Sequence, residues 1–166
     1  MAVVSTKSAP ITNRDAVPPV LTNSRVQASN IAECVGLVSV ANGDSIASIL
    51  RLAEVPSNAR VCDLHIKCGA ITSAAADIGV YRNTRDGGAV VDADFFASAQ
   101  SIASALAVWT DVLQESGVNT LAFQQMPLWQ ALGFTADPNT TFDIAATLTA
   151  AATAGADLVL RVRYAD

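Results

Sequence analysis

Residues 141–164 read TFDIAATLTAAATAGADLVLRVRY. In Thr141–Ala150, Phe142, Ile144, Ala146 and Leu148 share one parity, opposite Asp143, Thr147 and Thr149. In Asp157–Tyr164, Leu158, Leu160, Val162 and Tyr164 alternate with Val159, Arg161 and Arg163. Successive side chains of a strand point to opposite faces, so a period of two marks a half-buried strand. Gly155 sits in the link, and the pair reads as a closing hairpin.

The same period recurs upstream, from Asn30 onward. Arg60–Cys68 (RVCDLHIKC) sets Cys62, Leu64, Ile66 and Cys68 against Asp63, His65 and Lys67. Ala76–Arg82 turns Ile78 and Val80 inward, while Ser45–Val55 alternates only in part through Ile46, Ser48, Leu50 and Leu52. Pro56-Ser57-Asn58 and Asp86-Gly87-Gly88 carry turn chemistry. Two stretches depart from strand patterning. Asp94–Leu106 (DFFASAQSIASAL) is alanine-rich and predicts a short helix capped by Asp94. Pro127–Gly133 (PLWQALG) predicts one or two helical turns, with Pro127 at the first position and Gly133 as the C′ stop. Short strands separated by turns predict an all-β, jelly-roll-like β-sandwich with one or two short helices, and the lack of a fixed repeat argues against solenoids and propellers.

Residues 1–30 differ from the rest. They hold Pro10, Pro18 and Pro19, many Ser, Thr and Asn, and no aromatic residue. Such a segment buries too little apolar surface to fold alone. The predicted organisation is therefore an extended N-terminal arm over 1–30 and a sandwich domain over 31–166. Short apolar tags at Val3-Val4, Ile11 and Val20-Leu21 suit an arm that orders along a partner; a frayed terminus is the other reading.

Across 166 residues, hydrophobic side chains make up 51% and charged ones only 15%, well below the usual quarter. With mean hydropathy +0.37, some apolar surface is expected to meet a neighbouring subunit. No apolar run is long enough for a spanning helix, and the N-terminus shows no secretory pattern, so synthesis in a cytoplasm is expected. A net charge of −5 argues against nucleic acid as partner. Three cysteines without an export signal read as reduced thiols.

Candidate chemistry is sparse. Cys62, His65 and Cys68 cluster in sequence, yet on a strand His65 points away from both thiols, so they cannot share a metal ion. Buried structural thiols are the expected fate, and Lys67 alone does not activate them. His65 is the only histidine, and no G-x-S-x-G elbow accompanies it. Asp92 and Asp94 would share a strand face, as a calcium or glycosidase pair or merely atop a turn. Asn139-Thr140-Thr141 matches a glycosylation pattern, but Asp137-Pro138-Asn139 reads better as a turn. No catalytic residue, cofactor site or metal site is assigned, and no enzyme activity is expected. Trp109, Phe123, Trp129 and Phe134 either fill the core or anchor an interface.

Gly43–Tyr164, about three quarters of the chain, resembles the small jelly-roll decoration (cement) proteins of tailed-bacteriophage heads. The resemblance lies in Gly43-Asp44-Ser45, Leu50-Arg51-Leu52, Val55-Pro56-Ser57-Asn58-Ala59 and Gly79-Val80-Tyr81. It continues through Gly87–Ala97 (GGAVVDADFFA), Pro127–Gly133, Asp137-Pro138 and the closing strands. It implies a virion protein on the outer capsid surface, bound to the major capsid protein and to itself as a homotrimer. It also implies that the protein bridges capsomers to stabilise the shell, and it transfers no catalytic residue. The alternative is a tail-associated or carbohydrate-binding jelly-roll module, for which Trp129 near Asp137 would be the sugar platform.

Overall fold

Eight strands carry the chain from Ile31 to Ala165 in the computed structural model, which describes residues 6–166. They are β1 (Ile31–Val40), β2 (Ile49–Pro56), β3 (Arg60–Cys68), β4 (Ala75–Arg82), β5 (Val90–Ser101), β6 (Leu106–Asp111), β7 (Thr141–Ala150) and β8 (Ala156–Ala165). They form two four-stranded antiparallel sheets, ordered β1-β8-β3-β6 and β2-β7-β4-β5. This is an all-β jelly-roll-like sandwich. Two short α-helices, α1 (Ala9–Asp15) and α2 (Leu128–Ala131), lie outside the sheets.

The alternating residues of the two inner faces make the core. Leu64, Ile66, Leu158, Leu160 and Val162 of the first sheet are buried, as are Ile78, Val80, Phe142, Ile144 and Leu148 of the second. Burying each such side chain stabilises the fold by about 1.5–3 kcal/mol before conformational entropy is counted. Arg51 of β2 locks the second sheet from outside. Its guanidinium donates to Asp143 Oδ2 (2.6 Å), Arg82 O (2.9 Å) and Gly88 O (2.7 Å), and lies 5.5 Å from the centre of the Tyr81 ring.

Three sequence expectations fail here. First, Asp94–Leu106 is not a helix: most of it lies in β5, and Leu106 opens β6. Pairing with β4 satisfies its backbone, and burial of Phe95, Phe96 and Ala97 outweighs alanine's helical preference. The register moves from Ile78↔Ala97 to Val80↔Asp92, so β5 bulges opposite Gly79 and loses its period. A Cβ on Gly79 would sit 2.2 Å from the carbonyl oxygens of Asp92 and Ala93, so only glycine fits against this bulge.

Second, β7 and β8 are not a hairpin. They belong to opposite sheets, and among the sandwich strands only β4 and β5 are both consecutive and paired. The 151–155 link crosses between layers, held where Ala152 N donates to Asp44 O (3.0 Å) and Thr153 N to Thr72 O (2.9 Å). Third, Cys62 does not share the inward face. A bulge between Val61 and Asp63 shifts the phase, so Val61 is buried in its place. Leu64, Ile66 and Cys68 do face inward. The partial alternation of Ser45–Val55 has the same kind of cause: β2 slips register between Arg51 and Ala53, and Leu52 and Ala53 are both buried.

The 112–140 excursion between β6 and β7 packs over one end of the sandwich. Its α2 docks on the β2–β3 turn through Leu128 N to Ala59 O (2.8 Å) and Trp129 N to Ser57 O (2.9 Å). Pro127 is the N-cap, and Gly133, at φ 80°, follows the C-cap Leu132.

Candidate assembly surface

Strand β1 inverts the usual distribution of side chains. Over 31–37 its inward positions are small (Ala32, Cys34, Gly36), whereas Ile31, Val35 and Leu37 point outward at 56%, 55% and 61% exposure; Val38 and Val40 then turn inward to the core. Gly36 explains the small inner residues. A Cβ there would lie 1.6 Å from Leu52 O, so β1 runs hard against the β2 backbone. With its larger side chains outside, β1 presents an apolar stripe that continues onto Val159, the partner of Leu37 on β8. An edge strand with this much exposed apolar surface is a natural docking strand.

Beside the stripe lies a polar network. Asp63 is central: its carboxylate lies 2.7 Å from His65 Nδ1, 3.9 Å from Arg161 and 3.7 Å from Arg163. Arg163 also pairs with Glu33 at 2.6 Å, which joins β3, β8 and β1 across one face. Hydrogen bonding and charge attraction from Glu33 hold the Arg163 proton more tightly than usual. Trp109 of β6 projects from the same sheet, 38% exposed, with the Arg161 guanidinium 4.6 Å from its ring centre. Arg161 Nε is buried without a hydrogen-bond partner.

The arm stands apart from the sandwich. Among the described residues, side chains 6–22 hydrogen-bond only to one another or to their own backbone: Lys7 and Arg14 pair with Asp15, Thr12 with Ser8 O, and Asn13 with Thr22. These local bonds hold α1, which has no buried residue. Val17 and Leu21 are each 97% exposed. The root is fastened where Arg60 donates to Arg25 O (2.8 Å) and Gln124 O (3.2 Å). The Val3-Val4 tag lies outside the described residues.

The residues singled out for chemistry disperse. Cys68 is buried, and burial raises its thiol pKa, the reverse of activation. Cys62 is half-buried with Sγ 3.4 Å from Arg60 O, and His65 belongs to the outer network. Asp92 and Asp94 are neighbours on β5. Burial, then the hydrogen bond to the Asp94 side chain, pushes the Asp92 carboxyl above its ordinary value. Among the described residues no three His, Cys, Asp or Glu side chains are placed to hold a metal ion, and no helix is long and apolar enough to cross a membrane. Of the aromatics, Phe123, Trp129 and Phe134 pack against the core, and Trp109 alone lies on the open sheet face.

Asp137-Pro138-Asn139 forms the expected turn, with Asp137 Oδ1 accepting from Asn139 N (2.9 Å) and Ser57 Oγ (2.5 Å). This turn walls an open groove of about 870 Å³ at the sandwich end near the arm root, together with the β2–β3 turn and the 3₁₀ turn Thr84–Asp86. Trp129 packs against the core and does not line it, so the sugar platform that the alternative reading would need is not built there.

Solved structures share this architecture. A chain of the capsid of Ralstonia phage GP4 superposes with TM-score 0.56 at 13% identity, over 82% of this chain and 84% of that one. A chain of the cyanophage Pam1 capsid asymmetric unit superposes with TM-score 0.51 at 15% identity, over 82% and 85%. The likeness is one of fold. No protein-family model matches the sequence, and no curated protein matches it significantly. Sequence reasoning missed the apolar stripe. Its signal is the run Ile31-Ala32-Glu33-Cys34-Val35-Gly36-Leu37, where the larger member of each pair sits opposite a small one.

Proposed function

We propose that this chain is a virion structural protein: a decoration (cement) subunit that binds the outer surface of a tailed-phage head and bridges neighbouring capsomers. The observation that carries this reading is the pairing of two surfaces that a lone molecule leaves unused, on a sandwich fold shared with chains of two phage capsids. One surface is the β1 stripe with Trp109 on the adjoining open face. The other is an arm whose Val17 and Leu21 are almost wholly exposed and whose described side chains over 6–22 hydrogen-bond only within the arm.

The division of labour follows from the chemistry. Val35 and Leu37, flanked by the Glu33–Arg163–Asp63 network, give an apolar centre with a charged rim, the anatomy of a specific protein interface. This face suits a sister copy, and the homotrimer implied by the family resemblance is the proposed state. The arm suits the major capsid protein, because it can spread over a neighbour and order on binding. Bridging capsomers this way buries surface across their seams and resists expansion of the shell. No catalytic role is assigned to any residue.

Sedimentation equilibrium on the full chain and on a chain lacking residues 1–30 tests the self-association. A trimer in both forms is expected, since β1 begins at Ile31. A monomer in both at micromolar concentration would remove the proposed sister interface.

A further inference from the structure

The groove at the end of the sandwich is a site that assembly leaves unexplained, and we propose that it binds a neutral oligosaccharide. This goes beyond the decoration role and stands whether or not the chain coats a head.

Size is the first argument. A volume of about 870 Å³ falls within the range of small-molecule sites, about 300–1,000 Å³. It would hold a few sugar rings. The chemistry of the walls is the second. They carry three carboxylates (Glu54, Asp86, Asp137) and two guanidiniums (Arg82, Arg85), with amides and hydroxyls between them and no aromatic side chain. A protein anchor needs an apolar floor in which to bury a large side chain; the apolar side chains of this groove are only Pro56 and Pro138. Phosphate or another polyanion would meet Glu54 and Asp137, neither of which has a cationic partner among the described residues. A ligand dense in hydroxyls fits both conditions, because each hydroxyl donates to a carboxylate and accepts from an amide or guanidinium.

Preorganisation is the third argument. Asn83 Nδ2 donates to Thr141 O (3.1 Å), Thr141 Oγ1 (3.1 Å) and Thr140 Oγ1 (3.3 Å), and its Oδ1 accepts from Asp86 N (2.8 Å). Arg82 is held by Asp86 at 2.6 Å, Asp137 by Ser57 at 2.5 Å, and Glu54 by Thr141 at 2.5 Å. This part of the wall is thus held before any ligand arrives, which lowers the ordering cost of binding. Against this framework two lining side chains, Asn58 and Arg85, make no hydrogen bond among the described residues. One oxygen each of Glu54 and Asp137 is also left without a side-chain or backbone donor. Amide, guanidinium and carboxylate groups left open beside such a framework are what sugar hydroxyls engage.

Saturation-transfer NMR on the full chain, with maltotriose, cellotriose and tri-N-acetylchitotriose as probes, tests the proposal. Transfer to at least one trisaccharide is expected. In the double variant Asn58→Ala/Arg85→Ala the titrated affinity should fall tenfold or more while the thermal unfolding midpoint stays put. No transfer to any of the three overturns the proposal. So does transfer that the double variant leaves unchanged, which would put the sugar elsewhere, or displacement of the sugars by tetralysine, which would mark the groove as a basic-peptide site.

Discussion

Arg51 binds more of the second sheet together than any other polar residue described. It joins Asp143 on β7 to the carbonyls of Arg82 and Gly88, so one side chain on β2 ties β7, β4 and the 83–89 turn. Asp143 is only 16% exposed at its side chain, and removing its partner strands a half-buried carboxylate. Arg51→Ala should therefore cost about 3 kcal/mol, seen as a fall in the urea midpoint without a change of slope. A cost below about 0.5 kcal/mol would show that Arg51 merely decorates the sheet. Gly36 and Gly79 act through space rather than charge. A methyl at either position meets backbone carbonyls that cannot move aside, so Gly36→Ala and Gly79→Ala should each destabilise by about 3 kcal/mol or more. Asp92 gives a pH signature. Burial first, and then the hydrogen bond to Asp94, make its carboxyl hold a proton more tightly in the folded chain than in the unfolded one. The folded state is thus favoured below the ordinary carboxylate pKa of 3.8, and that advantage is lost as pH rises through the raised value. Asp92→Asn should raise the melting temperature at pH 7, and the gain should vanish in melts below pH 3.8.

At the scale of elements, strand identity and strand phase were legible to different degrees. β7 and β8 were plain because the large apolar residues of Phe142–Leu148 and Leu158–Val162 alternate onto one buried face, with only the small Ala145 buried on the other parity. Cys62 and Leu52 were misread or blurred because a bulge adds a residue that no period anticipates. Most of β5 was misread as helix from Asp94 on: its bulge opposite Gly79 breaks the period, and what remained was alanine content, which favours helix only while no neighbour competes for the backbone. The exposed half of β1 follows from the tight β1–β2 approach at Gly36, a contact between strands that sequence neighbours cannot reveal. That half carries a direct prediction. Val35→Asp or Leu37→Asp should abolish self-association, with a monomer in sedimentation and the unfolding free energy changed by less than about 1 kcal/mol, because both side chains face outward. Loss of folding instead would place these residues in the core of the single chain.

At the scale of the molecule, the jelly roll was legible as a class and not as a wiring diagram. Periods of two and spaced turns gave two packed sheets. They could not show that β7 and β8 part company, because sheet membership depends on which distant strand each edge meets. The groove was invisible for the same reason. Ser57, Asn83 and Asp137 are brought together only by the closing of three separate turns. Exposed apolar surface was foreshadowed more broadly, by low charge and high apolar content, but the stripe on β1 and the open-face Trp109, where assembly is proposed, came from the fold. The whole-molecule account predicts a chain that is stable alone and complete only on a shell. Its most direct test is co-sedimentation with heads of the phage proposed to encode it, assembled without this chain, followed by heating of the coated heads. Saturable binding that raises the head disruption temperature, and that weakens at least tenfold on deleting residues 1–30, is the predicted result. Heads that take up no chain, or take it up without any gain in thermal resistance, would contradict the account.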